Sequence, residues 1–199
     1  MSLLSAIALG IALGLVTGGR PGNLARIRLR WNALILLSLA LQLVLFTGLS
    51  IPAPLVTIGY LTSGLLSLIW LGRNLDVPGI GCVFIGGLSN FVAIAANGGR
   101  MPVDAALLAR TRGADYVREL AAGRVTSNSS LADSHTRLRW LTDQILIPPP
   151  WPLPTVLSVG DLLIAAGVVW VIAAAMRSRP SAGSRTSDEV DPRSELKAS

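Results

Sequence analysis

Residues 143–177 read DQILIPPPWPLPTVLSVGDLLIAAGVVWVIAAAMR, and this stretch decides how the chain is read. Prolines at 148, 149, 150, 152 and 154 fix φ and remove backbone donors, which predicts an extended, stiff approach that cannot be helical. Ser158-Val-Gly-Asp161 then has the spacing of a capping box, so a helix begins there. From Leu162 to Met176 it is apolar throughout, and it stops at Arg177 and Arg179, as a span leaving hydrocarbon on the cytoplasmic side does. Two carboxylates, Asp143 and Asp161, bracket the proline connector.

Working outward, the rest of the chain has the same character. Of 199 residues 51% are hydrophobic and the mean hydropathy is +0.59, too apolar for an ordinary soluble domain. A formal net charge of +6 would suggest nucleic acid in a soluble protein. Here the arginines cluster at the ends of apolar runs, the positive-inside pattern, so the expected partners are the lipid bilayer and other membrane proteins, not nucleic acid. Lys197 is the only lysine, which reads as compositional bias. With Cys82 the only cysteine and His135 the only histidine, neither an internal disulfide nor a zinc cage is expected, and no metal or cofactor is implied.

The expected fold is all-α, a polytopic transmembrane helix bundle. Its five spans fall at about 3–18, 31–49, 55–71, 79–97 and 158–176, within a membrane domain of residues 1–177. Residues 98–157 form one long outer loop, and 178–199, rich in small and alternately charged residues, reads as a disordered cytoplasmic tail. No basic residue precedes the first span, which argues for a retained helix with its N-terminus outside rather than a cleaved signal peptide. Ala6, Gly10, Gly14 and Gly18 recur every fourth position and leave one face without bulk, where another helix can approach closely. Gln42, Ser89 and Asn90 lie within spans and need partners there, which interhelical hydrogen bonds would supply. Ten basic residues fall on the inner segments and tail against seven on the much longer outer loop, which orients the C-terminus to the cytoplasm.

Within the outer loop, Pro102 to Ala122 has helix-forming composition with Val103, Leu107, Ala114, Val117 and Ala121 near one face, predicting an interfacial helix. Val125 to Ser134 reads as a flexible link. His135 to Ile147 is amphipathic again, with Trp140 suited to the membrane boundary.

No phosphate-binding loop, nucleophile elbow or zinc-protease motif occurs, and Gly79-Ile-Gly81 lacks the third glycine of a dinucleotide fingerprint. The polar residues near the outer ends of the last two spans remain: Asn97, Arg100, His135, Arg137, Asp143 and Asp161. Two carboxylates held close in a poorly hydrated site cannot both ionise, so Asp143 and Asp161 form a candidate catalytic pair, one acting as general acid while the other activates water. A capping role explains Asp161 equally well, and Asp143 reads equally as a solvated charge. Asn97, Arg100, His135 and Arg137 are the candidate binding residues. The segment Asn97-Gly-Gly-Arg-Met-Pro102 is either a glycine helix stop or a constrained backbone aiming Asn97 and Arg100 at an outer-leaflet phosphate.

Several motifs together resemble a family of uncharacterised bacterial integral membrane proteins, a domain of unknown function. They are Gly-Gly-Arg after the first helix, Asn-Leu-Ala-Arg at 23–26, Asn97 to Pro102, Thr136-Arg137 to Asp143, the proline run and Ser158 to Asp161. The resemblance spans about residues 3–176 and implies a membrane topology without an activity. More distantly, the chain is similar to lipoprotein signal peptidase, a membrane aspartyl protease. Asp161 matches the acid opening that family's last helix, Asp143 its second acid, and Asn97-Gly98 part of an Asn-x-Gly segment. Ser158 stands where that family has Asn, Arg100 interrupts an apolar stretch, and five spans replace four. Two functions stay open: a non-enzymatic accessory or scaffolding component, and a membrane aspartyl hydrolase working through Asp143 and Asp161. Permeation is disfavoured because no span holds a buried ionisable residue.

Overall fold

The computed structural model describes residues 3–47, 51–125, 127–150 and 153–178. The expected cytoplasmic tail, beyond Ser178, lies outside them. The chain is mostly helical: α1 Leu3–Val16, α2 Asn32–Phe46, α3 Ala53–Gly72, α4 Ile80–Ala96, α5 Ala105–Arg112, α6 Ala114–Ala121 and α7 Val159–Arg177. Four short strands, β1 Met101–Val103, β2 Ser129–Leu131, β3 Ile145–Ile147 and β4 Thr155–Leu157, and two 3-10 turns, Pro21–Arg26 and Arg139–Leu141, complete it.

Each expected span coincides with an apolar helix. Of these, α3 and α7 are long and apolar enough to cross a membrane. The five helices stand in a row, α2 beside α3, α3 beside α4, α4 beside α7, and α7 beside α1. Neighbours run antiparallel except the last pair. Leu3 lies near Asp161 and Ile164 at the start of α7, and Gly14 meets Met176 at its end, so α1 and α7 are parallel.

Small residues set the spacing. A Cβ on Gly14 would come within 2.9 Å of Met176 Cε, and one on Gly10 within 3.0 Å of Ile172 Cβ. The every-fourth-residue face of α1 therefore packs on α7 through Ala6, Gly10 and Gly14, all buried, while Gly18 (φ 80°) belongs to the turn beyond. Glycines also bring α4 and α7 together: a Cβ on Gly86 would sit 2.5 Å from Gly160 O, and one on Gly167 2.7 Å from Val83 N. Between α2 and α3 the contact is polar. Ser38 Oγ donates to Ser63 O at 2.8 Å and Gln42 Nε2 to Ser63 Oγ at 3.1 Å, the interhelical bonding expected for Gln42.

At the end of the row where α4 stops and α7 starts, residues 98–157 build a cap. The expectation of an all-α fold with one interfacial helix is corrected here. β1 pairs in parallel with β2, β3 antiparallel with β4, and a bridge between Val103 and Asp143 joins the two sheets. The stretch 102–122 begins as strand, is capped at Asp104, whose side chain accepts from Ala106 N and Leu107 N, and breaks at Gly113 (φ 88°) into two helices. Their apolar sides serve the cap's own core of Val103, Leu108, Leu120 and Val156. Periodicity alone does not separate a face turned to protein from one turned to lipid. Residues 125–134 hold β2 instead of a featureless link, and the amphipathic stretch 135–147 forms a 3-10 turn and β3. The strands on either side of the proline run, β3 and β4, pair antiparallel and so satisfy their exposed backbone groups; Trp151 and Pro152 of the run lie outside the described residues.

Overpacking a helix contact of this tightness costs on the order of 1–3 kcal/mol. Gly14→Ile and Gly160→Ala are expected to lower folded yield and melting temperature in detergent, whereas Gly22→Ala, which meets open space, leaves both unchanged. Equal yields for all three would remove the close-contact assignment.

Candidate functional site

The two acids sit where the cap meets α4 and α7. Ser158 caps α7: its Oγ accepts from Asp161 N at 3.0 Å, and Asp161 Oδ2 accepts from Ser158 N at 3.0 Å, so both halves of the capping box are present. The same ring extends across to α4. Asn90 Nδ2 donates to Asp161 Oδ1 at 2.8 Å, and Ser158 Oγ donates to Asn90 Oδ1 at 2.8 Å. Both Asp161 oxygens are thus occupied. Gly160 permits the arrangement, since a side chain there would collide with the Asn90 amide.

Asp143 is placed by backbone pairing alone. Its N–H donates to Pro102 O at 3.0 Å, its carbonyl accepts from Asp104 N at 3.4 Å, and Gln144 N donates to Leu157 O at 3.1 Å. This lodges the residue between β1 and β4 with its side chain turned into the protein. Carboxylate Oδ1 is buried without a hydrogen-bond partner among the described residues. Burial pushes the carboxyl up to about 7, and the nearby Asp161 charge adds to the shift. No hydrogen bond joins the two acids among the described residues, so they influence one another through space without sharing a proton.

Asp143 lines a polar recess of about 210 Å³ with Thr111, Arg112, Tyr116, Ser127 and Asn128. Asn128 Nδ2 donates to Tyr60 Oη at 2.8 Å, and Tyr60 also lines a larger groove of about 630 Å³ that includes Arg100. A buried carboxyl titrating near neutrality can donate a hydrogen bond or a proton to a polar group entering the recess.

The other expected site residues divide. Asn97 is a structural tie: Nδ2 donates to Ala93 O and Arg137 O, at 2.8 and 2.9 Å, and Oδ1 accepts from Arg137 N at 2.9 Å. Its amide closes α4 and fastens the loop at 137, leaving it no free polar atom pair to offer a ligand. Arg100 is exposed on the groove wall. His135 lies on an exposed turn in which its N–H bonds Asp133 Oδ1 at 2.8 Å. Asn90, Asn128 and Tyr60 were not foreseen as site residues. Asn90 carried a signal, an amide inside an apolar span, and it does serve as interhelical glue. Ser89, expected in the same role, has a buried Oγ without a partner among the described residues.

The sequence profile of a family of unknown function (DUF5317) matches residues 26–173. The chain belongs to the DUF5317 family. The matched region takes in α2 to α6, the whole cap and most of α7, so it contains Asn90, Asp143, Ser158 and Asp161, while α1 lies outside it. No curated protein and no solved structure matches the chain.

The raised carboxyl sets a pH dependence for this DUF5317 protein. Between about pH 4 and pH 7 the folded state keeps on Asp143 a proton that the unfolded chain has released, so stability is greatest at the acid end and falls as pH rises through that window. The loss is at most about 4 kcal/mol. Thermal unfolding in detergent is expected to give a lower melting temperature at pH 8 than at pH 5, with Asp143→Asn flattening the difference. An equal drop in the variant would assign the dependence elsewhere.

Proposed function

We propose that this chain is a multi-pass integral protein of the cell membrane, crossing it with all five apolar helices, N-terminus outside and C-terminus cytoplasmic. In that reading it is a non-enzymatic accessory or scaffolding component. One observation carries the membrane reading: the polarity of the helices is reversed. Leu4, Leu36, Leu43 and Ile58 are 61–72% exposed, whereas Ser38 and Ser63 are fully buried. Only 17% of the apolar stretch of α3 and 28% of that of α7 is buried, far too little for core helices of a water-soluble protein. Hydrocarbon is the solvent that rewards such a surface, because apolar side chains facing lipid cost nothing while polar ones seek partners inside.

The accessory role is supported by the state of Asp161. Both its oxygens are committed to Ser158 and Asn90, and freeing one to activate water would dismantle the start of α7. A second reading, an aspartyl hydrolase at the outer boundary, is favoured by the Asp143 carboxyl near 7 beside an Asp161 charge, an acid–base asymmetry of the kind such chemistry uses.

Reporter fusions test the topology. Alkaline phosphatase joined after Arg28 and after Arg73 is expected to be inactive, and after Ile51 and Ala122 active. Were only α3 and α7 to cross, the Arg28 and Ile51 fusions would agree with each other, as would those at Arg73 and Ala122. The two roles separate by complementation of a deletion strain. An accessory protein tolerates Asp143→Asn, and with Asp161→Asn keeps function in proportion to the folded protein that remains, whereas a hydrolase loses function with either even at matched protein level.

A further inference from the structure

We propose that the groove at the end of the bundle opposite the cap, between the C-terminal ends of α1 and α7, binds the phosphate of an anionic phospholipid headgroup. The inference rests on the membrane reading above.

The groove is built by a fixed backbone. Gly19 lies so close to α7 that a Cβ on it would come within 2.7 Å of Met176 Cβ. Arg20 N donates to Met176 O at 2.8 Å, and Asn23 Nδ2 donates to both Met176 O and Ser178 O, at 2.9 and 3.0 Å. Main chain and amide therefore close the end of α7, and that work does not fall to the side chains of Arg20 and Arg26. Arg177 gives only its Nε, to Ala173 O at 3.2 Å, and keeps its terminal nitrogens for a ligand.

Arg20 and Arg26, at the two ends of one 3-10 turn, and Arg177, at the end of α7, line one groove of about 530 Å³ with Thr17 and Asn23, and no carboxylate among the described residues lines it. Among the described residues none of the three is in an ion pair, unlike Arg30, which lies 3.4 Å from Asp76, or Arg73, stacked 4.3 Å over the Trp31 ring. Three cations gathered without an acid repel one another, and an anion in their midst relieves this. Guanidinium forks match phosphate oxygens two at a time.

A lipid fits better than the other anions at hand. Leu15 and Val16, 52% and 85% exposed, precede the groove on α1 and offer acyl chains an apolar flank. The chain's own tail, residues 179–199, carries four basic and four acidic side chains and so has no net attraction to the groove.

The test uses the full-length protein in neutral detergent, reading thermal stability against added phosphatidylglycerol, phosphatidylcholine or inorganic phosphate. Phosphatidylglycerol is expected to stabilise and phosphatidylcholine not. Substituting Arg20, Arg26 and Arg177 together by Gln should raise the half-saturating lipid concentration roughly 100-fold, about five-fold per arginine. Arg26→Gln alone gives the same reading at five-fold if the triple variant does not fold. Arg110→Gln and Arg118→Gln on the cap are expected to leave it unchanged. Equal stabilisation by phosphatidylcholine, or an unaltered response in Arg26→Gln, would overturn the proposal. So would inorganic phosphate reproducing the effect, which would make the site one for free anions. A tenfold gain on truncation after Ser178 would show the tail to be the occupant. If instead the protein stays monodisperse in water without detergent, it is the membrane reading that fails.

Discussion

Close approach of α4 and α7 is the constraint on which the rest of this molecule depends. Glycines at 79, 86, 160 and 167 bring the two backbones into contact, and at the cap end the Ser158–Asp161–Asn90 ring locks their register. Hydrogen bonds of this kind contribute on the order of 1 kcal/mol each. Because α7 carries α1 on its other side and α4 carries α3, an error in this one contact would propagate along the whole row.

The cap follows from the same junction. Ala93 and Ile94 of α4 pack with Met101 and Leu141, with Tyr60 and Leu61 of α3 against them, so the helices supply one wall of a small core and the strands the other. Strand pairing then holds Asp143 in place, with no bond to its carboxyl among the described residues. Burial raises the Asp143 carboxyl toward neutrality, while both oxygens of Asp161 are hydrogen-bonded. Two residues of one type thus have different surroundings, one carboxyl buried without a bond among the described residues and the other held by capping and interhelical contacts.

Most of the helical framework was legible in the sequence. Unbroken apolar runs between Gly, Pro and Arg signals gave α2, α3, α4 and α7 to within about three residues at each described end. The capping box was read correctly because its geometry is local to four residues, and the glycine face of α1 because its period is that of a helix. The cap was not legible. Its strands are three residues long and pair across gaps of up to 40 positions, as in Met101 with Ser129, Val103 with Asp143 and Ile145 with Leu157, too short and too distant for any periodic pattern. Asp143 looked like a solvated surface charge for the same reason: only long-range pairing turns it inward. Asn97 carried a local sign of its capping role, yet its second bond, to the loop at Arg137, lies 40 residues away.

The parallel pairing of α1 with α7 bears on how the molecule comes to exist. Helix α1 leaves the ribosome about 160 residues before its partner α7, so its glycine-lined side stays bare while α2 to α6 and the cap are made. Meanwhile α2, α3 and α4 can zip together as consecutive hairpins. Assembly is therefore completed when α7 arrives and slides between an already paired trio and the waiting α1 stave.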